Sequence, residues 1–331
     1  MPALPHLVKG LVTGALVGAA VATPASAEGP PPPAPLRFVT VNVYHGGPLS
    51  GWSGRDDHLE TRLGLLTQAL TALAPDVIAL QEASWTRGRG EVAARLAERL
   101  GFNHVYAPSS MHLFDTAWFN RAAASAMDFA EGPAVLSRFP IVRSEVHKLP
   151  QCGWRLDPRV LVLAQVATPG GPLQVFSTHI SGHHCQAEAV ATLIRGYRAD
   201  FPGVLMGDFN AIETSPAIRA LLTGAGVIDA FRAAHPDGSG YTVYQPVMAP
   251  ERRVSRRIDY VFLAPGRRFP GAVVDSRVVI DTPGQLASGR TVWPSDHYGV
   301  LADLIVFPPT TTTREDGDAQ GLMARSHHTA P

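Results

Sequence analysis

The stretch Asp76-Val77-Ile78-Ala79-Leu80-Gln81-Glu82 is a short, mostly apolar run whose last residue is an acid. A run of this length after Pro75 favours a strand buried on both faces, which would deliver the Glu82 carboxylate at its end. The residues before it predict an amphipathic helix, because leucines recur there at helical spacing: Leu59, Leu63, Leu66, Leu70 and Leu73. Pro75 would end that helix. The whole segment therefore predicts a helix packed against a sheet.

The rest of the chain repeats this alternation of strands and helices. Residues 37–43 alternate, are rich in β-forming residues and predict a first strand that ends near Asn42. Further strands are predicted over 134–136, 160–166, 173–177, 204–206, 258–263 and 300–306, and helices over 92–100 and 186–197. Ser215-Pro216 is typical of a helix cap and first turn. Direct strand connections such as Pro169-Gly170-Gly171 predict sheets with helices on their outer faces.

Polar residues recur at the ends of the predicted strands. They are Asn42, Glu82, His179, Asp208, Asn210, Asp259, Asp296 and His297. Strand ends on a rigid sheet can hold side chains from distant parts of the chain in one place, as a catalytic site requires. Carboxylates and an amide suit Mg²⁺ or Mn²⁺, whereas the presence of only two cysteines argues against a zinc site. Such a set fits phosphate-ester hydrolysis, which needs a hard cation and an oriented water.

The order and content of these segments resemble the endonuclease/exonuclease/phosphatase superfamily, the fold of pancreatic deoxyribonuclease. The segments are Thr40-Val41-Asn42, Leu80-Gln81-Glu82, Ser177-Thr178-His179, Gly207-Asp208-Phe209-Asn210, Arg257-Ile258-Asp259-Tyr260 and Ser295-Asp296-His297. Gly132-Pro133-Ala134-Val135-Leu136-Ser137-Arg138 adds to the likeness. The resemblance covers about residues 37–307 and implies a four-layer α/β sandwich, with two mixed β-sheets packed face to face and helices outside.

The resemblance implies a metal site made of three residues. Glu82 is expected to be the principal metal ligand, and Asn42 is expected to assist the metal or a water that bridges to it. Asp296 matches the family's metal-proximal aspartate. Alternation along an extended segment would send Asp296 and His297 to different sides, so both can line the site only if the chain turns there.

The catalytic and substrate-binding roles fall on the remaining residues. His297 is predicted to be the acid/base residue, because histidine titrates near neutral pH, and the resemblance makes Asp259 its carboxylate partner. Asp208 is expected to orient or deprotonate the attacking water, and Asn210 to place that water and bind a phosphate oxygen. The resemblance implies that His179 hydrogen-bonds the phosphate. Arg159 is a phosphate-binding residue by resemblance, with a surface charge as the alternative.

The two ends of the chain predict export and a tail. Residues 1–27 contain Lys9, an apolar run of about a dozen residues and Ala25-Ser26-Ala27, a pattern typical of a cleaved secretory signal and too short to span a bilayer. Residues 28–36 are a Pro-rich spacer, 37–307 the catalytic domain and 308–331 a disordered tail. The protein is thus expected to be secreted, outside the cell or in its envelope. An exported protein can hold Cys152 and Cys185 as a disulfide, and two separate buried thiols are the alternative.

Composition narrows the function without choosing the substrate. The chain has 45% hydrophobic and 17% charged residues, which excludes a small disulfide scaffold and a multispan transporter. Lys plus Arg equals Asp plus Glu at 28 each, so no global positive field indicates a nucleic-acid binder. A dense basic region could still track a nucleic-acid backbone or form a solvated loop: Arg252, Arg253, Arg256, Arg257, Arg267 and Arg268.

The sequence therefore predicts a secreted, Mg²⁺- or Mn²⁺-dependent phosphodiesterase or nuclease. A sphingomyelinase-like lipid phosphodiesterase and an inositol-phosphate phosphatase are the alternatives, and a non-catalytic binding protein on the same fold is a remote one. The expected partner is a phosphoester substrate, either a nucleic acid or a phospholipid or other small phosphodiester. No obligate protein partner is inferred, and the chain is expected to be a monomer.

Overall fold

Two large sheets packed face to face form the centre of the protein. The computed structural model describes residues 34–45, 58–109, 116–152 and 158–308. In chain order the strands are β1 (Leu36–Asn42), β2 (Val77–Thr86), β3 (Gly90–Glu91), β4 (Asn103–Tyr106), β5 (Ala130–Ser137), β6 (Ile141–Lys148), β7 (Val160–Thr168), β8 (Gly171–His179), β9 (Gly203–Asp208), β10 (Ile228–Asp229), β11 (Asp259–Ala264), β12 (Ala272–Val279), β13 (Gly284–Gln285), β14 (Thr291–Val292) and β15 (Gly299–Ile305). The helices are α1 (Leu59–Leu73), α2 (Val92–Leu100), α3 (Ala117–Met127), α4 (His184–Gly196), α5 (Pro216–Arg219), which continues into a π-helical segment (Ala220–Ala225), and α6 (Ala230–Ala234).

Both large sheets are mixed. The first has the order β12-β15-β1-β2-β5-β4, with β3 paired to β2, and the second has the order β10-β11-β9-β8-β7-β6. The β1–β2 and β8–β9 pairs are parallel, and the other pairs are antiparallel. Strands β13 and β14 form a separate hairpin. Among the described residues, no helix is long and apolar enough to cross a bilayer.

Three apolar clusters define four layers. The cluster between the sheets is built mostly of valine and alanine from both sheets, which lets the two backbones approach closely. A second cluster joins the leucines of α1 and the apolar face of α2 to the outer face of the first sheet. A third joins α4 and the segment around α5 to the outer face of the second sheet. The predicted four-layer α/β sandwich is confirmed.

The predicted elements match the structure where the sequence alternates strongly. Helix α1 ends one residue before Ala74, which adopts a left-handed conformation at φ 47°, and Pro75 follows. Ser215 caps α5 by accepting a hydrogen bond from the Ile218 amide at 3.2 Å. Strands β4, β6 and β12, helices α3 and α6, and the two-residue strands β3, β10, β13 and β14 were not predicted. Strand β6 lies at a sheet edge with few buried side chains, so its sequence carries no clear apolar alternation.

Cys152 and Cys185 are joined as a disulfide, with Cα atoms 6.4 Å apart. The bond links the segment that follows β6 to the first turn of α4. Gln186 reinforces the link, because its side chain donates to the Pro150 carbonyl at 3.2 Å and accepts from the Ser181 amide at 2.8 Å. Of the two alternatives for the cysteines, the structure contains the paired one.

Candidate active site

Alternation of side chains along the strands places four polar residues on the inner faces of the two sheets, at one end of the sandwich. In β1, Phe38 packs between the sheets and Asn42, four residues later, points to the same face. The same period of two extends the inner faces of β8, β9 and β11 to His179, Asp208 and Asp259. These four side chains are all buried. They meet because β1 and β8 end, and β11 begins, at the same end of the two sheets.

Glu82 joins this group only because β2 is irregular. Ile78 and Leu80 face the helices, so strict alternation would send Glu82 to the helix side as well. A register shift between Leu80 and Ala83 interrupts the pairing with β5, and Glu82 adopts a left-handed conformation at φ 52°. Its Oε1 then accepts a hydrogen bond from the Asn42 side-chain nitrogen at 3.0 Å. A bulge thus re-aims the carboxylate into the site.

Tight backbone contacts fix the Gly207-Asp208-Phe209-Asn210 turn. A Cβ on Gly207 would lie 2.1 Å from the Thr178 carbonyl oxygen, so only glycine allows the β8 and β9 backbones to approach there. Asn210 is left-handed at φ 49°, and its amide donates to Asp208 Oδ1 at 2.8 Å. Strained backbone is typical of functional sites, where the surrounding structure holds it in place.

A hydrogen-bonded row connects the two sheets through Asn42 and Asp208. The Asn42 side-chain nitrogen donates to Glu82 and, at 3.1 Å, to Asp208 Oδ2. Beyond Asp208, the His297 Nε2 atom lies 3.9 Å from the same Oδ2 atom. His297 Nδ1 contacts Asp259 at 3.0 Å, and Asp259 accepts a hydrogen bond from the Thr242 hydroxyl at 2.5 Å. The predicted partnership of His297 with Asp259 is present in the geometry.

The chain turns at Asp296 and His297, as the placement of both residues in the site requires. The Ser295 hydroxyl donates to the Asn42 carbonyl at 2.6 Å and accepts from the His297 amide at 3.3 Å. These bonds tie the turn to the end of β1. Both side chains are buried as a result.

His179 and Asn210 form a pair beside Asp208. The Asn210 side-chain nitrogen donates to His179 Nε2 at 2.9 Å and to the Ile180 carbonyl at 2.9 Å. If Nε2 accepts this bond, the neutral ring carries its proton on Nδ1, which is buried and has no hydrogen-bond partner within the described part of the chain. The predicted bond from His179 to a phosphate would require Nε2 to carry the proton and Asn210 to turn over.

Arg159 lies beside this pair, just before β7. Its Nε donates to the Ser181 hydroxyl at 3.1 Å, and β7 pairs with β8 so that Leu161 faces Thr178. Arg159 is close enough to His179 to act on its charge. The structure therefore brings all nine predicted site residues to one end of the sandwich, with Arg159 at the edge.

Burial and neighbouring charges move the pKa values of these groups apart. Burial, together with the nearby Asp259 carboxylate, raises the pKa of Asp208 to about 7. Burial alone would lower the pKa of His297, but Asp259 and Asp208 outweigh it and raise that pKa to about 10. Burial lowers the pKa of His179 well below its usual value, and the charge of Arg159 adds to this effect. A base, an acid and a neutral ring thus share one site.

Arg62 is a site residue that the sequence analysis missed. It is fully buried, and its guanidinium donates to the carbonyls of Val43 at 2.9 Å, Tyr44 at 2.8 Å and Pro294 at 3.3 Å. These carbonyls belong to the segments that follow Asn42 and precede Asp296. Arg62 therefore clamps together two segments that carry site residues. The sequence does contain a feature that could have revealed Arg62: it is a charged residue inside the leucine stripe of α1, three residues after Leu59 and four before Leu66.

The donor set fits a hard divalent cation near Glu82 and Asp296. Burial raises the pKa of Asp296 to about 6, and the charge of Glu82 contributes to this shift, so the two carboxylates lie close enough to repel. Carboxylate and amide oxygens are the ligands that Mg²⁺ and Mn²⁺ prefer. Asp208, Asp259 and His297 also have ligand atoms within 4.8 Å of one another and could hold a metal ion. There, however, a cation would displace the His297–Asp259 hydrogen bond, whereas at Glu82, Asp296 and Asn42 that bond would stay intact.

The basic region of the sequence is divided in space. Arg257 is buried and bonds Asp229 at 2.7 Å. Arg267 and Arg268 follow β11 at the end away from Asp259 and lie 3.6 and 3.4 Å from Asp200. The exposed Arg253 and Arg256 instead bond Gln245 and Val243 through their backbone amides, and the Gln245 amide donates to the Asp296 carbonyl. The region is therefore not a single track for a nucleic-acid backbone.

Residues 39–297 match the model of the endonuclease/exonuclease/phosphatase family. The chain belongs to this family. Members of the endonuclease/exonuclease/phosphatase family are phosphoester hydrolases that typically use a divalent metal. The match covers every predicted site residue, so the resemblance drawn from the short motifs is confirmed.

Individual relatives of this family are distant. Nocturnin of Drosophila melanogaster is 24% identical over 205 residues, which are 50% of this chain and 30% of nocturnin, so the chain spans about a third of that relative. The mannosyl-6-phosphatase of Bacteroides thetaiotaomicron has a similar structure, with a TM-score of 0.62, 19% identity and coverage of 82% of this chain and 99% of that one. D. rerio TDP2, in complex with a single-strand DNA product, has a TM-score of 0.56, 19% identity and coverage of 81% of this chain and 98% of that one. These structural likenesses show the fold alone.

Proposed function

We propose that the protein is a secreted, Mg²⁺- or Mn²⁺-dependent phosphodiesterase of the nuclease type. The observation that carries this proposal is the hydrogen-bonded row from Glu82 through Asn42 and Asp208, continued by the approach of His297 and its bond to Asp259. It combines oxygen ligands for a hard cation with a base, Asp208, and an acid, His297, that lie next to each other. The DNA product in the TDP2 complex supports a nucleic acid as the first substrate to test.

The roles follow from the protonation states. Asp208, with a pKa of about 7, accepts a proton from the attacking water, and hydrogen bonds from Asn42 and the Asn210 amide hold its two oxygens in place. His297 stays protonated because Asp259 and Asp208 flank it, and its Nε2–H donates to the developing charge on the leaving oxygen. A divalent cation at Glu82, Asp296 and Asn42 would neutralise charge on the phosphate oxygens.

Arg159 and the His179–Asn210 pair are proposed to receive the phosphate. Arg159 brings a permanent positive charge to the edge of the site, held by Ser181. Asn210 is left-handed and held by three hydrogen bonds, so its side chain is pre-organised beside Asp208. For His179 to donate to a phosphate oxygen, Nε2 must carry the proton and the substrate must take the place of the Asn210 side chain at that nitrogen.

A substrate panel tests the proposed function. Purified protein is assayed on plasmid DNA, RNA, sphingomyelin, bis-nitrophenyl phosphate and inositol phosphates, each with Mg²⁺, Mn²⁺ or chelator. We expect chelator-sensitive cleavage of diesters, DNA or RNA foremost, and none in His297→Ala. Faster cleavage of sphingomyelin would support the lipid alternative, and faster cleavage of monoesters would support a phosphatase, the activity named for the Bacteroides relative. No hydrolysis of any substrate above the His297→Ala level would overturn the proposal.

Export is proposed from residues 1–27, which lie outside the described part of the chain. Expression of the full chain followed by N-terminal sequencing of secreted material tests it. We expect a mature protein that begins at Glu28. Full-length protein retained in the cell would contradict export.

A further inference from the structure

Gln186 is a buried polar residue on a stripe of α4 that is otherwise apolar. It lies on the same face as Val190 and Ile194, four and eight residues later, and it is 2% exposed. An apolar residue at this position would extend the cluster between α4 and the second sheet. Burial of an amide costs free energy unless its hydrogen bonds are made. The partners of Gln186 therefore indicate what the amide does there.

The side chain of Gln186 reaches back beyond the N-terminus of α4. Gln186 is the third residue of the helix, a position from which glutamine or glutamate often accepts a hydrogen bond from the N-cap amide. Here it accepts instead from the Ser181 amide, two residues before the N-cap His183, at 2.8 Å. Its Nε2 donates to the Pro150 carbonyl at 3.2 Å. One side chain thus joins the segment after β8 to the segment after β6.

These two segments hold Arg159 from two sides. On the β6 side, the Leu149 amide donates to the Arg159 carbonyl at 2.8 Å, and Pro150 is the next residue after Leu149. On the β8 side, the Ser181 hydroxyl accepts from Arg159 Nε at 3.1 Å. Gln186 therefore connects the segment that bonds the backbone of Arg159 to the segment that bonds its side chain.

The segment that contains Ser181 also lies against Asn210. The Ile180 carbonyl accepts from the Asn210 side-chain nitrogen at 2.9 Å. Gly182 is left-handed at φ 75°, and a Cβ there would lie 2.5 Å from the Asn210 carbonyl oxygen. Contacts this close leave the segment little room to shift on its own. Gln186 thus bonds a segment that supports both Arg159 and the His179–Asn210 pair.

The disulfide closes the same junction covalently. Cys152 is two residues after Pro150, and Cys185 immediately precedes Gln186. The bond therefore keeps α4 beside the segment after β6 when the hydrogen bonds of Gln186 are removed. A substitution at Gln186 can thus test the hydrogen bonds without releasing the helix.

We propose that Gln186 is a positioning residue that holds Arg159 in the orientation in which it binds the substrate phosphate. The proposal rests on the proposed function for the role of Arg159. A guanidinium is planar and binds phosphate through directed hydrogen bonds, so its contribution depends on its orientation. The Ser181 hydroxyl takes the Nε hydrogen and so sets the direction of the two terminal nitrogens. Gln186 in turn fixes Ser181 through its amide.

A double-mutant cycle on the full chain tests the proposal. Isothermal calorimetry in the presence of Mg²⁺ gives the Kd for inorganic phosphate of the wild type, Gln186→Met, Arg159→Ala and the double variant. Methionine is unbranched like glutamine and apolar like the rest of the stripe. We expect Gln186→Met to weaken phosphate binding about tenfold in the wild type, but less than about twofold when Arg159→Ala is already present.

Controls separate positioning from a general effect on the fold. Thr192→Met, on the exposed face of α4, should bind phosphate like the wild type, and circular dichroism checks that each variant is folded. Ser181→Ala removes the acceptor of Arg159 Nε but keeps the amide that Gln186 bonds, and it should show the same dependence on Arg159. It takes the place of Gln186→Met in the cycle if that variant does not fold. Equal weakening with and without Arg159→Ala would overturn the proposal.

A spectroscopic measurement reports on Arg159 without any ligand. In protein that contains isotope-labelled arginine, the Nε–H resonance that disappears in Arg159→Ala belongs to Arg159. We expect Gln186→Met to shift this resonance and to speed its exchange with water, and Thr192→Met to leave it unchanged. An unchanged resonance in Gln186→Met, or wild-type protein that binds no phosphate, would also overturn the proposal. Neither measurement requires turnover, so failure of the proposed function is seen separately, as absence of hydrolysis in the substrate panel.

Discussion

Buried acids at the two ends of the sandwich are neutralised in different ways. Away from the site, Asp76 accepts hydrogen bonds from the Arg37 amide at 2.6 Å and forms an ion pair with Arg138 at 2.5 Å. The Arg37 guanidinium also bonds both oxygens of Asp303, at 2.8 and 3.1 Å. Each acid there meets an arginine, whose charge does not depend on pH.

At the site end the carboxylates meet histidines and one another. Glu82 lies 3.2 Å from His45, and Asp208 and Asp259 share the charged His297, while the neutral His179 beside Asp208 brings no compensating charge. Two residues there, Glu82 and Asn210, are also left-handed. Left-handed residues occur at both ends, since Ala74 lies two residues before Asp76, so charge is what distinguishes them. The far end is built for stability, whereas the site end keeps negative charge that a bound cation would relieve.

The largest effect is expected at the centre of the site. His297→Ala and Asp208→Asn should each lower kcat by about a thousandfold or more, because each removes a proposed proton-transfer group. Asp76→Asn is the matched change at the far end, and it should leave kcat per folded molecule unchanged. Steady-state kinetics on the best diester substrate checks all three variants. A loss of kcat in Asp76→Asn as large as that in Asp208→Asn would erase the distinction between the ends.

Much of this site follows from sequence alternation. The period of two in β1, β8, β9 and β11 carries Asn42, His179, Asp208 and Asp259 to the inner face, and the predicted strands ended close to these residues. Glu82 could not be placed this way, because its position depends on a bulge and a left-handed residue that strict alternation excludes.

Other features could not be predicted because they depend on contacts between distant segments. Arg62 lies in the leucine stripe of α1, yet its three carbonyl partners become neighbours only after folding. The separation of Arg267 and Arg268 from Arg253 and Arg256 likewise depends on the direction of β11, not on their spacing in the sequence.

A smaller effect is expected at Arg62, which acts through its neighbours. Arg62→Met should lower the free energy of unfolding by about 3 kcal/mol, because buried carbonyls lose their donor. It should also lower kcat by roughly ten- to a hundredfold with little change in KM, because Asn42 and Asp296 lose their alignment. Urea denaturation and kinetics measure the two effects, with the exposed Arg87→Met as the control.

Partial recovery in Arg62→Lys would separate positioning from packing. If Arg62→Met is destabilised but keeps the kcat of the wild type, then Arg62 is only a structural residue and does not belong to the site end.

At the far end, removal of an ion pair should affect stability alone. Asp303→Asn weakens the bond to Arg37, whose side chain is 35% exposed, so we expect a loss of about 1 kcal/mol in the free energy of unfolding. The kcat should stay that of the wild type. Urea denaturation gives the first value and kinetics the second. A tenfold drop in kcat would mean that the two ends are coupled.

The smallest effect is expected for the arginines beyond β11. Arg267→Ala/Arg268→Ala should change kcat/KM for DNA less than about twofold, because both side chains pair with Asp200 away from the site. Arg253→Ala/Arg256→Ala should weaken DNA binding more and reduce its salt dependence. The reverse order would show that a substrate strand runs past the far end of β11.

Titration of a divalent cation tests the contrast between the two ends most directly. Isothermal calorimetry with Mn²⁺ is run on the wild type, on Glu82→Gln and Asp296→Asn at the site end, and on Asp303→Asn at the far end. We predict binding in the wild type and in Asp303→Asn, and loss of binding in Glu82→Gln and Asp296→Asn. Equal Mn²⁺ affinity in all four proteins would contradict the assignment of the cation to Glu82 and Asp296.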